Sequence, residues 1–189
     1  RTLVGRLMEG EAYNLQDLEV IQLVSLGELI TVPGLKTRKF RLKTFFTGWT
    51  ASEAVDGGHV DLVPCRFSRI PALIDSGLLP IDAAFIQVTP PDERGYCCLG
   101  VSVDVVRQVA ARAKLIVGEI NPKIPRTLGD TLMPATIFHS LVTCDQDPPY
   151  FARWVVDDVY DRVAAQAASV IEDGSCISFS IGPLYEALS

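Results

Sequence analysis

The sequence predicts an α/β domain with a mainly parallel sheet covered by helices on both faces, and three observations predict it. Apolar runs of strand length alternate with amphipathic helical segments along most of the 189 residues. The runs Ala83 to Val88 (AAFIQV) and Leu115 to Ile120 (LIVGEI) are almost wholly apolar, the pattern of strands with neighbours on both faces. Hydrophobic residues make up 48% and charged residues 21%, a balance that can bury a core and excludes disorder or a collagen-like chain.

In chain order, Thr2 to Glu9 reads as the middle of a helix, and both chain ends read as cut from a longer polypeptide. Leu18 to Leu26 reads as a strand, as does Phe40 to Phe46, with Phe40, Leu42, Thr44 and Phe46 on one face. Ala51 to Val55 reads as a short helix closed by Gly57 and Gly58, and Val60 to Cys65 as a strand. Ser68 to Ser76 is a helix ending at Gly77, and Ala83 to Val88 a strand that runs into TPPDERGYCCLG. Ser102 suits the N-cap of a helix whose apolar face is Val103, Val106, Val109, Ala110 and Ala113. Leu115 to Ile120 is a strand ended by Asn121-Pro122, and Thr136 to Val142 a further strand. A long helix over about 151–172 turns Val156, Val159, Tyr160, Val163, Ala164, Ala167, Val170 and Ile171 inward. Cys176 to Ile181 closes the pattern as a strand turning at Gly182-Pro183 into a helix.

A formal charge of −6 removes the electrostatic attraction that dominates nucleic-acid binding. No apolar run is long enough to span a bilayer and the amino end has no signal-peptide pattern, so neither nucleic acid nor membrane is an expected partner and the expected location is cytoplasmic. Five cysteines, Cys65, Cys97, Cys98, Cys144 and Cys176, lie in apolar stretches without C-x-x-C and read as buried, reduced thiols. With only His59 and His139, and no ligand spacing around either, no metal site and no histidine-based triad is expected.

Ligands of open α/β sheets bind outside the carboxyl ends of the strands, which draws attention to the loops Thr89 to Gly100, Asn121 to Asp130 and Gly182-Pro183. In the first, two prolines, an Asx-type turn former and a glycine make a rigid segment, suited to a structural turn or to a ligand wall. Asp92 and Glu93 read as solvated neighbours or as paired carboxylates. Lys123 and Arg126 are cations near a strand end, open to solvent or to an anionic ligand. Glu119 ends an apolar strand, either satisfied by backbone or a cation or serving as an active carboxylate. The basic run Lys36 to Lys43 reads as a solvated edge strand or a phosphate contact. Neither G-x-G-x-x-G after a strand nor a P-loop lysine motif is present.

The blocks PPDERGYCCLGVSVD, AKLIVGEINPKIPRTLGD and IEDGSCISFSIGPLYEAL, in that order, resemble the acetyl-CoA hydrolase/transferase family, which includes acetate and 4-hydroxybutyrate CoA-transferases. The chain departs from the usual family pattern at Cys98, where serine is common, at Ser180-Ile181-Gly182, and at Ser52-Glu53, where an arginine is usual. The resemblance implies a CoA-transferase (NagB/RpiA-like) domain over residues 1–174 and, in 175–189, the opening of a second similar domain. It implies a CoA-transferase or acyl-CoA hydrolase, moving CoA between an acyl-CoA and a small carboxylic acid through a glutamyl-CoA intermediate, in a homo-oligomer. CoA is then a substrate and no cofactor is permanently bound. The nucleophilic glutamate is expected in a missing carboxyl-terminal domain, so these residues alone are expected to be inactive. Pro91, Asp92, Gly95, Asn121, Arg126, Gly129 and Gly182 are expected to shape the substrate pocket, none as a catalytic group. The rival expectation is a non-catalytic interaction or regulatory module that retains the fold.

Overall fold

The computed structural model describes residues 2–9, 17–23, 40–46, 55, 58, 60–148, 150 and 152–189. It contains two compact units, Arg1–Pro149 and Tyr150–Ser189. The division falls before the boundary expected after residue 174.

In the first unit, β1 (Leu18–Gln22), β2 (Phe40–Thr44) and β3 (Val60–Leu62) form a parallel sheet in that order. A second parallel sheet has the order β4 (Ala83–Val88), β6 (Leu115–Ile120), β8 (Ser140–Thr143). Parallel neighbours need crossovers, and that from β4 to β6 carries the helix α3 (Val106–Arg112), while α2 (Ile70–Asp75) lies between β3 and β4 and so connects the two sheets. Two of the crossovers do more: β5 (Tyr96–Cys98) and β7 (Leu132–Pro134), one from each, pair antiparallel as a separate ribbon.

Alternation along the strands decides what covers them. Ala84, Ile86 and Val88 of β4 and Ile116 of β6 pack with Cys97, Leu99, Met133 and Phe138, and Val103, Val106, Val109, Ala110 and Ala113 close over them. That is the apolar face expected from the sequence. On the opposite face the side chain of Glu119 accepts a hydrogen bond from Leu3 at the start of helix α1 (Thr2–Glu9). The sheets are thus flanked by helices, and the fold is α/β. A second core joins Phe45, Ile70, Ile74 and Leu79, and Val109 of α3 touches both cores. Fully burying side chains of this size stabilises by about 1.5–3 kcal/mol each.

Several sequence expectations need correction. Helix α3 starts at Val106, not after Ser102, because Asp104 adopts φ +34°, which breaks the helical path. Within 136–142 a 3-10 turn (Ala135–Ile137) precedes the shorter strand β8. Strand β2 is the middle of its sheet, not an edge, and its exposed cations find cross-strand partners: Arg41 lies 3.1 Å from Asp61 and Lys43 2.8 Å from Glu19. Of the cysteines expected to be buried, Cys176 is exposed and Cys65 half-buried. Of the helix expected over 51–55, all but Val55 lies outside the described residues, as do His59 and Ser52-Glu53.

In the second unit, the helix expected over 151–172 spans only Asp158–Ala168 (α4). The Asp157 carboxylate caps it, accepting hydrogen bonds from the Val159 and Tyr160 amides at 3.0 Å, so the chain before it stays extended. Of the expected inward residues only Ala164 is buried, while Val159 and Val163 are 54% and 46% exposed. Cys176 to Ile181 does not form the expected strand, since no described strand lies beside it to complete a ladder. Gly182 follows at φ +138°, a conformation that demands glycine, and opens α5 (Pro183–Leu188).

Candidate functional site

The two loops leave the sheet side by side. Thr89 follows β4 and Asn121 follows β6, and the Asn121 amide donates to the Val88 carbonyl at 2.8 Å, extending the ladder by one rung. These are the carboxyl ends of adjacent parallel strands, where α/β sheets open to ligands.

The first loop is a closed hairpin. The Thr89 amide donates to Cys98 O and the Cys98 amide donates to Thr89 Oγ1, both at 2.9 Å. At its tip Asp92 makes the expected Asx turn: Oδ1 accepts from the amides of Arg94 (3.0 Å) and Tyr96 (2.8 Å), and Gly95 takes φ +78°. The Tyr96 amide, then that of Arg94 and the Arg126 guanidinium, hold the Asp92 carboxyl below its ordinary range against partial desolvation. Glu93 is exposed beside it, while Asp92 is engaged by its own loop and by Arg126.

The second loop is fastened at its base and along its length. Asn121 is buried, with Nδ2 donating to Gln146 O at 2.9 Å and Oδ1 accepting from the Lys123 amide at 3.0 Å. Lys123 Nζ bonds Asp145 O at 2.7 Å and Asp147 at 3.0 Å, and Asp147 first, then Asp145, raise its pKa. Lys123 therefore ties its loop to the segment after β8. Arg126 reaches across to Asp92 Oδ2 and ties the loops at the rim. Beyond it Gly129 turns the chain at φ +87°.

Beneath this exposed pair lies a buried seam that sequence reasoning missed. The amides of Thr127 (3.3 Å) and Gly100 (3.4 Å) donate to Cys98 Sγ, which lies 3.4 Å from Thr131 Oγ1. Thr131 Oγ1 donates in turn to Thr127 O at 2.9 Å, and Thr127 Oγ1 donates to Gly100 O at 2.6 Å. Burial raises the Cys98 thiol, but contacts from Thr131, Thr127 and Gly100 outweigh it and hold the group down at about 7. Arg107 of α3 adds a clamp, donating to Asp130 Oδ1 and to Leu132 O at 2.6 and 2.8 Å. The threonines, Thr131 directly before β7 and Thr127 in the loop leading to it, were the one available signal.

Of the residues expected in the site, Pro91, Asp92, Gly95 and Arg126 come together on the rim, Asn121 anchors its base and Gly129 its far turn. Gly182 belongs to the second unit. Glu119 takes the structural alternative: Oε2 accepts from the Leu3 amide at 3.0 Å and Oε1 from Gln87 at 3.1 Å, which places a carboxylate at a helix amino end. His139 Nδ1 accepts from the Ile116 amide at 3.1 Å. Among the described residues no group of three or more His, Cys, Asp or Glu is placed to hold a metal, and no helix is long and apolar enough to cross a membrane.

Residues 10–158 match the acetyl-CoA hydrolase/transferase N-terminal domain. The chain is 35% identical over 187 residues to the 4-hydroxybutyrate coenzyme A transferase of Clostridium kluyveri, covering 98% of this chain and 43% of that protein. It is 34% identical over 157 residues to the succinyl-CoA:acetate/propanoyl-CoA:succinate CoA transferase of Fasciola hepatica, covering 79% and 31%. Among solved structures it resembles RipA from Yersinia pestis (TM-score 0.82, 20% identity, 98% of this chain and 44% of that one). It also resembles a 4-hydroxybutyrate CoA-transferase from Porphyromonas gingivalis (TM-score 0.69, 24% identity, 97% and 42%). The structural likenesses show the fold. The chain spans less than half the length of these relatives.

Proposed function

The chain belongs to the acetyl-CoA hydrolase/transferase family, and from that premise we propose that it supplies one wall of an active site that moves CoA between an acyl-CoA and a small carboxylic acid. The observation that carries this reading is the pair of rigid loops at adjacent strand ends, joined by Asp92 and Arg126. A wall ordered before ligand arrives loses little conformational entropy on binding. Pro91, Asp92 and Gly95 shape one side, and Asn121, Arg126 and Gly129 the other. Gly182, expected with them from the sequence, lies in the second unit.

The chemistry follows from the electrophilic thioester. A glutamate carboxylate, in a carboxyl-terminal domain outside these residues, attacks the acyl carbonyl and expels CoA thiolate, leaving an acyl-glutamyl anhydride. The thiolate attacks the glutamyl carbonyl, giving a glutamyl-CoA thioester and releasing the acyl group as a carboxylate. An acceptor carboxylate attacks that thioester and the sequence runs in reverse. Glu119 is spoken for by Leu3 and Gln87, which supports seeking the nucleophile elsewhere. In this reading CoA is a substrate, the full protein is a cytoplasmic homo-oligomer, and residues 1–189 alone transfer no CoA.

The test is incubation of the full-length protein with acetyl-CoA and a panel of carboxylic acids, followed by borohydride reduction. Reductive trapping of one glutamate outside residues 1–189 is expected. Absence of any adduct with every acyl-CoA tried would move the assignment to a non-catalytic module of the same fold.

A further inference from the structure

We propose that Cys98 is a positioning residue, whose sulfur fastens the Arg126 loop to the end of β5 and thereby holds Arg126 against Asp92 on the substrate-facing rim. The inference deepens the reading above and rests on it for the identity of the ligand. Three facts carry it. The Asp92–Arg126 pair is exposed, and exposed ion pairs contribute only about 0–1 kcal/mol, too little to fix two loops. Buried links between the loops gather around the sulfur: the amide of Thr127, the residue after Arg126, donates to it across the gap, beside the bonds of Thr127 Oγ1 to Gly100 O and of the Leu99 amide to Thr131 O, while the Gly100 amide donates to it from its own loop. The loops also meet closely there, since a Cβ on Gly100, at φ +67°, would sit 3.3 Å from the Pro125 carbonyl oxygen.

Cys98 is fully buried, so it acts through the loops and not on substrate. Removing the sulfur strands two backbone donors in a site closed to water, where an unmade hydrogen bond costs most. A serine oxygen accepts from the same amides, though over a shorter reach.

The experiment compares Cys98→Ala with Cys98→Ser in the full-length enzyme. Cys98→Ala is expected to speed hydrogen exchange of the amides in 126–131 about tenfold and to raise KM for acetyl-CoA about tenfold with kcat nearly unchanged, the loss of about 1.4 kcal/mol of uniform binding. Cys98→Ser is expected to restore most of both. A calorimetric Kd for CoA should move in parallel, and this arm and the exchange arm do not depend on turnover. If the enzyme transfers no CoA yet exchange and Kd both respond, the functional reading fails and the positioning role stands. Unchanged exchange overturns the proposal, as does faster exchange with unaltered KM and Kd, which would leave Cys98 a packing residue. Should Cys98→Ala fail to fold, Thr131→Val removes one partner of the sulfur, and an unaltered Kd there overturns it equally.

Discussion

The rim loops of the first unit and helix α4 of the second treat their side chains in opposite ways. Around Cys98 and Asn121, polar groups are buried and each meets a partner in the loops or in the segment after β8; no buried side-chain nitrogen or oxygen among the described residues lacks one. Along α4 and just beyond it, apolar groups face water, with Val163 46% and Val170 80% exposed. A buried polar network fully satisfied by its own chain is rigid and specifies one arrangement. An apolar helix face left open specifies none by itself. The difference teaches that in the loops it is the satisfaction of buried polar groups, and not an apolar face, that fixes the arrangement.

Substitutions can break this contrast or sharpen it. The largest effect is expected beneath the rim: Ile86→Ala, at a buried position of β4, should cost about 2–5 kcal/mol in chemical denaturation. A cost below 1 kcal/mol, on the order of a surface change, would mean the rim does not rest on that core. Next comes Asn121→Ala, which leaves the Gln146 carbonyl and Lys123 amide without their partner and should cost about 1–3 kcal/mol. Loss of Arg126 should be smaller, about 0–1 kcal/mol in stability, with its main effect on substrate binding.

Asp92 adds a pH test of that exposed pair. Its folded pKa is depressed, so its stabilisation is fully present above the unfolded value of about 3.9 and is lost as pH falls through the folded value. The denaturation midpoint of the wild type should therefore approach that of Asp92→Asn on acidification below about 3.9, and a gap constant with pH would contradict the assignment. The smallest effect is expected at Val163→Ser on residues 1–189, within about 0.5 kcal/mol. A larger penalty in the full-length protein would show that other residues cover that face.

Elements dominated by one periodic signal were legible in advance. Ala83–Val88 and Leu115–Ile120 match their expected bounds, and the apolar face of Val103, Val106, Val109, Ala110 and Ala113 packs as read. The Asx turn at Asp92 and the turn at Gly95 were legible because they depend on neighbours in sequence. The ribbon of β5 and β7 was not, for each strand is three residues long and its partner lies beyond an intervening strand and helix. Nor was the end of the long helix, where a single capping carboxylate at Asp157 outweighed a continuous apolar pattern.

The sequence by itself determined the α/β class, the order of most strands and helices, and which strand ends deserved attention, because those follow from periodicity and local backbone preference. Only the tertiary structure decided that Arg126 meets Asp92, that Glu119 holds a helix end, and that Cys98 sits at a junction of two loops. Such pairings join residues about 30 to 120 positions apart. No local propensity encodes them, since they arise only when parallel pairing brings distant strand ends to one edge.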